Sequence, residues 1–366
     1  MNRVFFRRGL AIAAIAAATL IASCTTPEPE PVAPPPPPAI VPPPPVSLNE
    51  GVAQAAAIYV AFMREATSIR AGFTDAEAIQ AALRRGAAYE PAQLSRGMIA
   101  YGAVLALQSP EYVQGVRSLS TSHETRQQLI DQILADPAYA AQLPGADAAA
   151  GLIIDTISRD SAAMAVIAAA VEEDAYTIQG RSDPRRRWAI TPISHREVRL
   201  EGAKTLSAAQ MLPSPEESAR LFAAANSGTG LSVSPAQASA PYTPAVVRAL
   251  ALAALAALGA GGEDARTSTE ALTVEQNSEF CLNMSKLMLF QCLAASRPSY
   301  EDVFCIGRHV ARDLATCTSQ NITVPAAPII VPLPSASTEP ALAQTPVAEA
   351  AATASANATA ALNRAG

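Results

Sequence analysis

The stretch CLNMSKLMLFQCLAASRPSYEDVFCIGRHVARDLATC, Cys281 to Cys317, holds four of the chain's five cysteines. Three readings compete for it: a metal site, a redox centre and a stapled hairpin. Zinc ligands come as C-x2–4-C pairs, because a tight turn aims two sulfurs at one ion. Here ten residues separate Cys281 from Cys292 and eleven separate Cys305 from Cys317. Neither the C-x-x-C redox motif nor C-x-x-C-H is present. Cys305 and His309, four apart, could share one helical face, but two ligands alone make a poor site. Both arms carry apolar residues at helical spacing, and Ser299-Tyr300-Glu301-Asp302 reads as the cap of the second. On a helix rising 1.5 Å per residue, Cys281 and Cys292 stand about 16 Å apart, whereas a disulfide needs Cα atoms within about 7 Å. Neither arm can therefore bridge itself. Crossed pairing, 281 with 305 and 292 with 317, has the wrong register for a hairpin. Nested pairing, Cys281–Cys317 and Cys292–Cys305, centres both rungs on Pro298–Ser299, where the turn belongs. One mismatch remains, since twelve residues turn Cys317 about 120° away from Cys305 on an ideal helix. The second helix is expected to end or tighten before Thr318.

The other end of the chain bears on the same choice. Arg3, Arg7 and Arg8 precede LAIAAIAAATLIAS, an uncharged run too short to span a bilayer as a permanent helix. The run ends in Ile21-Ala22-Ser23-Cys24, which resembles the lipobox of bacterial lipoprotein signal peptides. The resemblance implies removal of residues 1–23, acylation of Cys24, and a membrane partner held through that anchor. Two or more acyl chains anchor stably where one does not. Thr25, not an Asp, follows the cysteine, and the resemblance then implies sorting to the outer membrane with the body in the periplasm. In an exported chain, four remaining cysteines read as a disulfide framework. The nested model is similar in architecture to the coiled-coil-helix hairpins stapled by two disulfides. Those have C-x9-C spacing, so the likeness concerns geometry and implies no function.

Residues 24–47, which include APPPPPAIVPPPPV, cannot join a helix or sheet, because proline fixes φ and lacks the N–H donor. They are expected to be an extended, disordered linker reaching on the order of 70 Å at about 3.1 Å per residue. The sequence from 322 to 366, rich in Ala, Pro, Ser and Thr, lacks the apolar density for a core and is expected to be a disordered tail.

Between them lies an Ala-rich chain with 5% aromatic residues and one tryptophan, Trp188. That composition favours close-packed helices over sheets and predicts an all-α, multi-helix, bundle-like body. Ser47-Leu48-Asn49-Glu50, Thr74-Asp75-Ala76-Glu77 and Thr121-Ser122-His123-Glu124 read as capping boxes. Ser214-Pro215 and Thr243-Pro244 are further starts, and Gly259 closes the helix that follows Thr243. Helices are expected near 48–68, 75–87, 91–108, 110–118, 122–135, 147–178, 215–225, 244–258, 274–296 and 300–316. No clear β-alternating run of useful length occurs, although 187–200 could hold a short strand pair. Residues 227–243 read as a loop between helical domains at 48–226 and 244–321. VVRALALAALAALGA, residues 246–260, is shorter than the roughly 20 apolar residues of a span and carries Arg248, so it reads as a buried core helix.

Catalytic groups are sparse. His123, His195 and His309 are the only histidines, and none lies in an H-E-x-x-H setting. No G-x-S-x-G elbow, P-loop or G-x-G-x-x-G occurs, and Gly228-Thr229-Gly230 lacks a following helix. Glu172-Glu173-Asp174 reads as a solvated face, since consecutive helical acids diverge too far to gather a cation. Arg185-Arg186-Arg187-Trp188 is the most distinctive cluster outside the cysteines. It could contact an anionic partner, or its arginines could pair with the acids at 172–174 while Trp188 fills a gap. No metal site or cofactor is expected. Removing the signal peptide takes away three arginines and no acid, which moves the net charge from −6 to −9 and argues against nucleic acid. The expectation is a lipid-anchored envelope protein that acts as a structural or adaptor module for another envelope protein and is not an enzyme. A binding module for a small apolar or lipidic ligand is the alternative, followed by a cell-wall enzyme.

Overall fold

Helix starts in this chain are set by short polar side chains that accept from the first free backbone N–H groups. In the computed structural model, which describes residues 43–179 (without the side chains of 178 and 179) and 186–324, those caps open α1 (Glu50–Ala66), α2 (Ala76–Ala87) and α5 (His123–Ala135). The caps are Asn49, Asp75 and Ser122, one or two residues later than Ser47, Thr74 and Thr121. Asn49 Oδ1 accepts from Val52 N at 3.1 Å while its amide donates to Thr269 Oγ1 at 2.7 Å and to Gly261 O at 3.1 Å. Glu50, Glu77 and Glu124 then fall in the first turn, where the helix dipole favours an acid.

The order continues with α3 (Pro91–Ala106), α4 (Pro110–Ser118), α6 (Ala146–Gln179), α7 (Arg187–Ile190), α8 (Arg196–Ala208), α9 (Pro215–Ser227) and α10 (Pro244–Ala257). It ends with α11 (Arg266–Leu272), α12 (Gln276–Ala295), α13 (Ser299–Ile306), a π turn at Gly307–Arg312 and α14 (Asp313–Ile322). Among the described residues there are helices and isolated bridges but no strand. The strand pair expected within 187–200 is replaced by α7, a bend, and the first turn of α8. The β-branched Ile190, Thr191, Ile193 and Val198 masked a helical repeat in which Ala203 and Ser207 are buried four apart.

The centre of the core is α10 packed on α3, and both are small-residue helices. A Cβ on Gly102 would stand 3.0 Å from the Ala249 methyl, so the two axes approach closely. Across α3, a Cβ on Gly97 would come 2.6 Å from Ala55 O, and only glycine lets α1 lie there. Buried Tyr112 closes the far side, its hydroxyl 3.0 Å from the carbonyls of both Ala140 and Leu250. Because α10 belongs to this centre, the described helices on either side of 227–243 pack as one unit. The 227–243 segment lies over α6, with Ala238 N donating to Asp147 O at 3.0 Å. No helix of the described residues is long and apolar enough to cross a membrane.

The C-terminal hairpin is nested. Cys281 pairs with Cys317 and Cys292 with Cys305, each with Cα atoms 5.7 Å apart. The second arm neither ends nor tightens before Thr318; it loosens. The π turn at Gly307–Arg312 absorbs one extra residue, so twelve residues advance like eleven and Cys317 returns to the face of Cys305. The arm then continues as α14 to Ile322, one residue beyond the expected limit of the domain. Gly307 is required at this turn, where a Cβ would come 2.9 Å from the backbone of Glu172 in α6. The cap expected from Ser299 is also displaced. Pro298 precedes α13 without a side-chain bond, and Glu301 Oε2 accepts from Arg297 N at 2.6 Å. Cys24, the signal peptide expected at 1–23, most of the expected linker, Arg185 and the sequence from residue 325 lie outside the described residues.

Candidate functional site

A groove of about 780 Å³ lies between α2 and α8. Ala76, Leu83, Val198, Ala203 and Leu206 supply apolar walls, and the bend Thr191–His195 closes one end beside Trp188 and Ser299. Leu83 and Ala203 are buried at its base, whereas Val198 is 71% exposed on the rim. Glu77 and Arg84 form an exposed ion pair of 2.6 Å along the α2 edge.

Both ends of α8 are fastened by buried polar contacts. At its N-terminal end, the Arg199 guanidinium donates to both carboxylate oxygens of Asp302 and to Leu293 O. Asp302 also accepts from Ser296 Oγ at 2.7 Å and from Gln80 Nε2 at 3.0 Å, so one carboxylate joins α2, α8 and the α12–α13 turn. Arg196 donates to Ser296 O at 2.7 Å and Ala294 O at 2.6 Å. The two arginines thus occupy the carbonyl end of α12, where cations are favoured. At the other end of α8, Lys286 Nζ donates to Ala87 O at 2.6 Å and Ser207 Oγ at 3.0 Å, and sits 3.3 Å from the Tyr89 ring centroid. Burial holds this ammonium well below the usual lysine range, Glu90 opposing weakly.

His195 lies at the mouth of the groove in the left-handed region, φ +51° and ψ +49°, preceding α8 without a side-chain cap. It is the one non-glycine residue with positive φ among those described. Such a conformation costs about 1–3 kcal/mol and is held only by the structure around it. Trp188 is half-buried against the core, and its indole Nε1 is buried without a hydrogen-bond partner among the described residues.

The arginine cluster is divided. Arg186 pairs with Asp174 at 3.0 Å, Arg187 is exposed, and Trp188 alone lines the groove. Asp174 also accepts from Gly72 N at 2.8 Å. The acids at 172–174 are not a solvated face, because Glu172 makes a two-point pair with Arg312 at 2.7 and 2.8 Å and only Glu173 is exposed. The three histidines stand apart. His123 begins α5 at the surface, His195 lines the groove, and His309 in the π turn lies 3.1 Å from Asp313. Cys305 is in a disulfide, which removes the two-ligand contact with His309. Among the described residues no three His, Cys, Asp or Glu side chains are placed to hold a metal ion.

Sequence reasoning missed α8, the Arg199–Asp302 pair and the buried Lys286. Arg196 and Arg199, three apart and so on one helical face, were the available signal for the first two. The two disulfides mark a protein of an oxidising, non-cytoplasmic compartment. Protein-family models, curated proteins and solved structures contain no match to this chain.

Proposed function

We propose that this chain is a lipid-anchored, non-catalytic adaptor of the bacterial envelope, acylated at Cys24 and tethered to the outer membrane with its body in the periplasm. Its α2–α8 groove receives a segment of another envelope protein. The observation that carries this reading is the groove itself, with apolar walls, one tryptophan and a strained histidine at its mouth. Its walls are fastened at both ends of α8, so an occupant meets a preformed surface and loses less ordering entropy on binding. Leu83 and Ala203 at the base and the exposed Glu77–Arg84 edge give an apolar centre with a partly polar rim, the usual arrangement of a protein interface. The net negative charge disfavours nucleic acid as a partner.

A small apolar or lipidic ligand is the second reading, favoured by a volume within the roughly 300–1,000 Å³ of small-molecule sites. One experiment separates the two. A photo-crosslinking amino acid in place of Val198, irradiated in cells, is expected to give an adduct with one envelope protein. Lipid adducts in its place support the second reading. Absence of any adduct above that from an exposed control position, Thr316, sinks both. Retention of palmitate label in a Cys24→Ser variant would overturn acylation at Cys24.

A further inference from the structure

The outward face of α12 carries a row of exposed apolar residues. Asn277, Phe280, Met284, Leu287, Met288 and Gln291 follow one another at steps of one, three or four residues, a single seam along the helix. Phe280 is 67% and Leu287 50% exposed, and Asn277, Met288 and Gln291 are exposed with them. The opposite face, Ser278, Leu282, Ser285, Leu289 and Leu293, is already buried in the core. A helix apolar on both sides has one side still to cover.

We propose that the seam is a self-association surface, on which two copies of this chain pair antiparallel about a two-fold axis at Met284. Four of its residues are placed symmetrically about Met284, while Leu287 has the disulfide-bonded Cys281 as its counterpart. Phe280 and Met288 lie four residues to either side, and Asn277 and Gln291 lie seven. An antiparallel two-fold sets Phe280 of one copy against Met288 of the other and Asn277 against Gln291, amide to amide, each pair twice. A two-fold contact sets a surface against itself, so a charged residue near its axis would meet its own like. The seam carries no charge, although the chain as a whole is at −6. Lys286, the one basic residue of α12, is turned inward and buried. Both disulfides bind α12 to the second arm of the hairpin, so the seam is presented on a rigid helix and pairing orders little.

The area sets the strength. A 20-residue helix is about 30 Å long and offers on the order of 300 Å² per copy for a strip about 10 Å wide. A stable interface uses about 800 Å² per partner, so the pairing is weak in dilute solution.

The test uses the full chain with its own leader, expressed in cells, with a photo-crosslinking amino acid at position 288. The expected product is a covalent species of twice the chain's mass, with the adduct mapping to residues 277–284 of the other copy. Phe280→Glu in the same chain should cut the yield at least tenfold while a non-reduced digest still contains both disulfides. Adducts only to lipid or to other proteins, no adduct at all, or a yield unchanged by Phe280→Glu overturns the proposal. The position probed is on α12, away from the groove, so the outcome is independent of the adaptor reading.

Discussion

Arg199 in α8 and Asp302 in α13 form an ion pair whose side chains are 6% and 0% exposed. Burying two charges costs about as much as their attraction returns, so the pair adds little net stability. What it adds is position, because the same carboxylate also holds Gln80 of α2 and Ser296, and so sets the spacing of the groove walls.

Removing one partner leaves the other charge buried and alone. Arg199→Met is expected to lose about 3–5 kcal/mol in denaturant unfolding. The double variant Arg199→Met, Asp302→Leu should recover a large part of that loss. A double variant as unstable as the single one would show that the polar network, not the lone charge, sets the cost.

The π turn makes a prediction about covalent structure. Deleting the exposed Arg308 should restore a continuous α-helix with ten residues between Cys305 and Cys317, matching the ten between Cys281 and Cys292. Both disulfides should still form. Deleting Asn283 from α12 instead turns Cys281 about 100° off its face and should leave free thiols. Peptide mapping of non-reduced digests reads both outcomes.

Lys286 makes stability depend on alkaline pH. Its folded pKa is lowered well below 10.5 by burial, so above the folded pKa the unfolded chain binds a proton that the folded chain does not. Stability therefore rises with pH through the window that ends at 10.5, and is lowest below it, where the ammonium stays charged in the interior. Relative to Lys286→Met, the native chain should gain stability as pH is raised from neutral towards 10. Parallel pH profiles for the two proteins would contradict this.

Asp160 acts in the acid range with the opposite slope. Burial pushes its carboxyl up to about 6 from 3.8, with Arg159 opposing. The folded state keeps a proton that the unfolded state has lost, so this contribution is present at low pH and disappears as pH rises through about 4 to 6. The loss is about 3 kcal/mol, given about 1.4 kcal/mol per pH unit. Asp160→Asn should abolish that slope in a series of thermal melts.

The left-handed His195 links strain to the groove. His195→Gly relieves a conformation costing about 1–3 kcal/mol and gives back about 0.5–1 in backbone entropy, for a net gain of about 1 kcal/mol. The same change removes an imidazole from the mouth of the groove and should lower the adduct yield from position 198. Higher stability with an unchanged adduct would separate His195 from binding.

Much of the fold could be read locally. Ser214-Pro215 and Thr243-Pro244 start helices in the structure as they do in the sequence, because a cap and an N1 proline act within four residues. The all-helical class follows from Ala content and apolar period, and the disulfide nesting from spacing about Pro298–Ser299, since a helix's rise leaves few ways to bring two sulfurs together. Only the tertiary structure decided the rest. Whether Arg186 meets Asp174 or a partner, whether Asp302 caps a helix or lies under α8, and whether Lys286 faces water or Tyr89 are settled by contacts between residues roughly 10 to 200 positions apart. The π turn belongs to the same class. Spacing alone exposed a 120° mismatch, but packing of Gly307 on α6 and closure of Cys281–Cys317 chose to loosen the helix where local reasoning expected it to end or tighten. Local sequence sets what each segment prefers, and the competition among segments for one core sets which polar groups become a site.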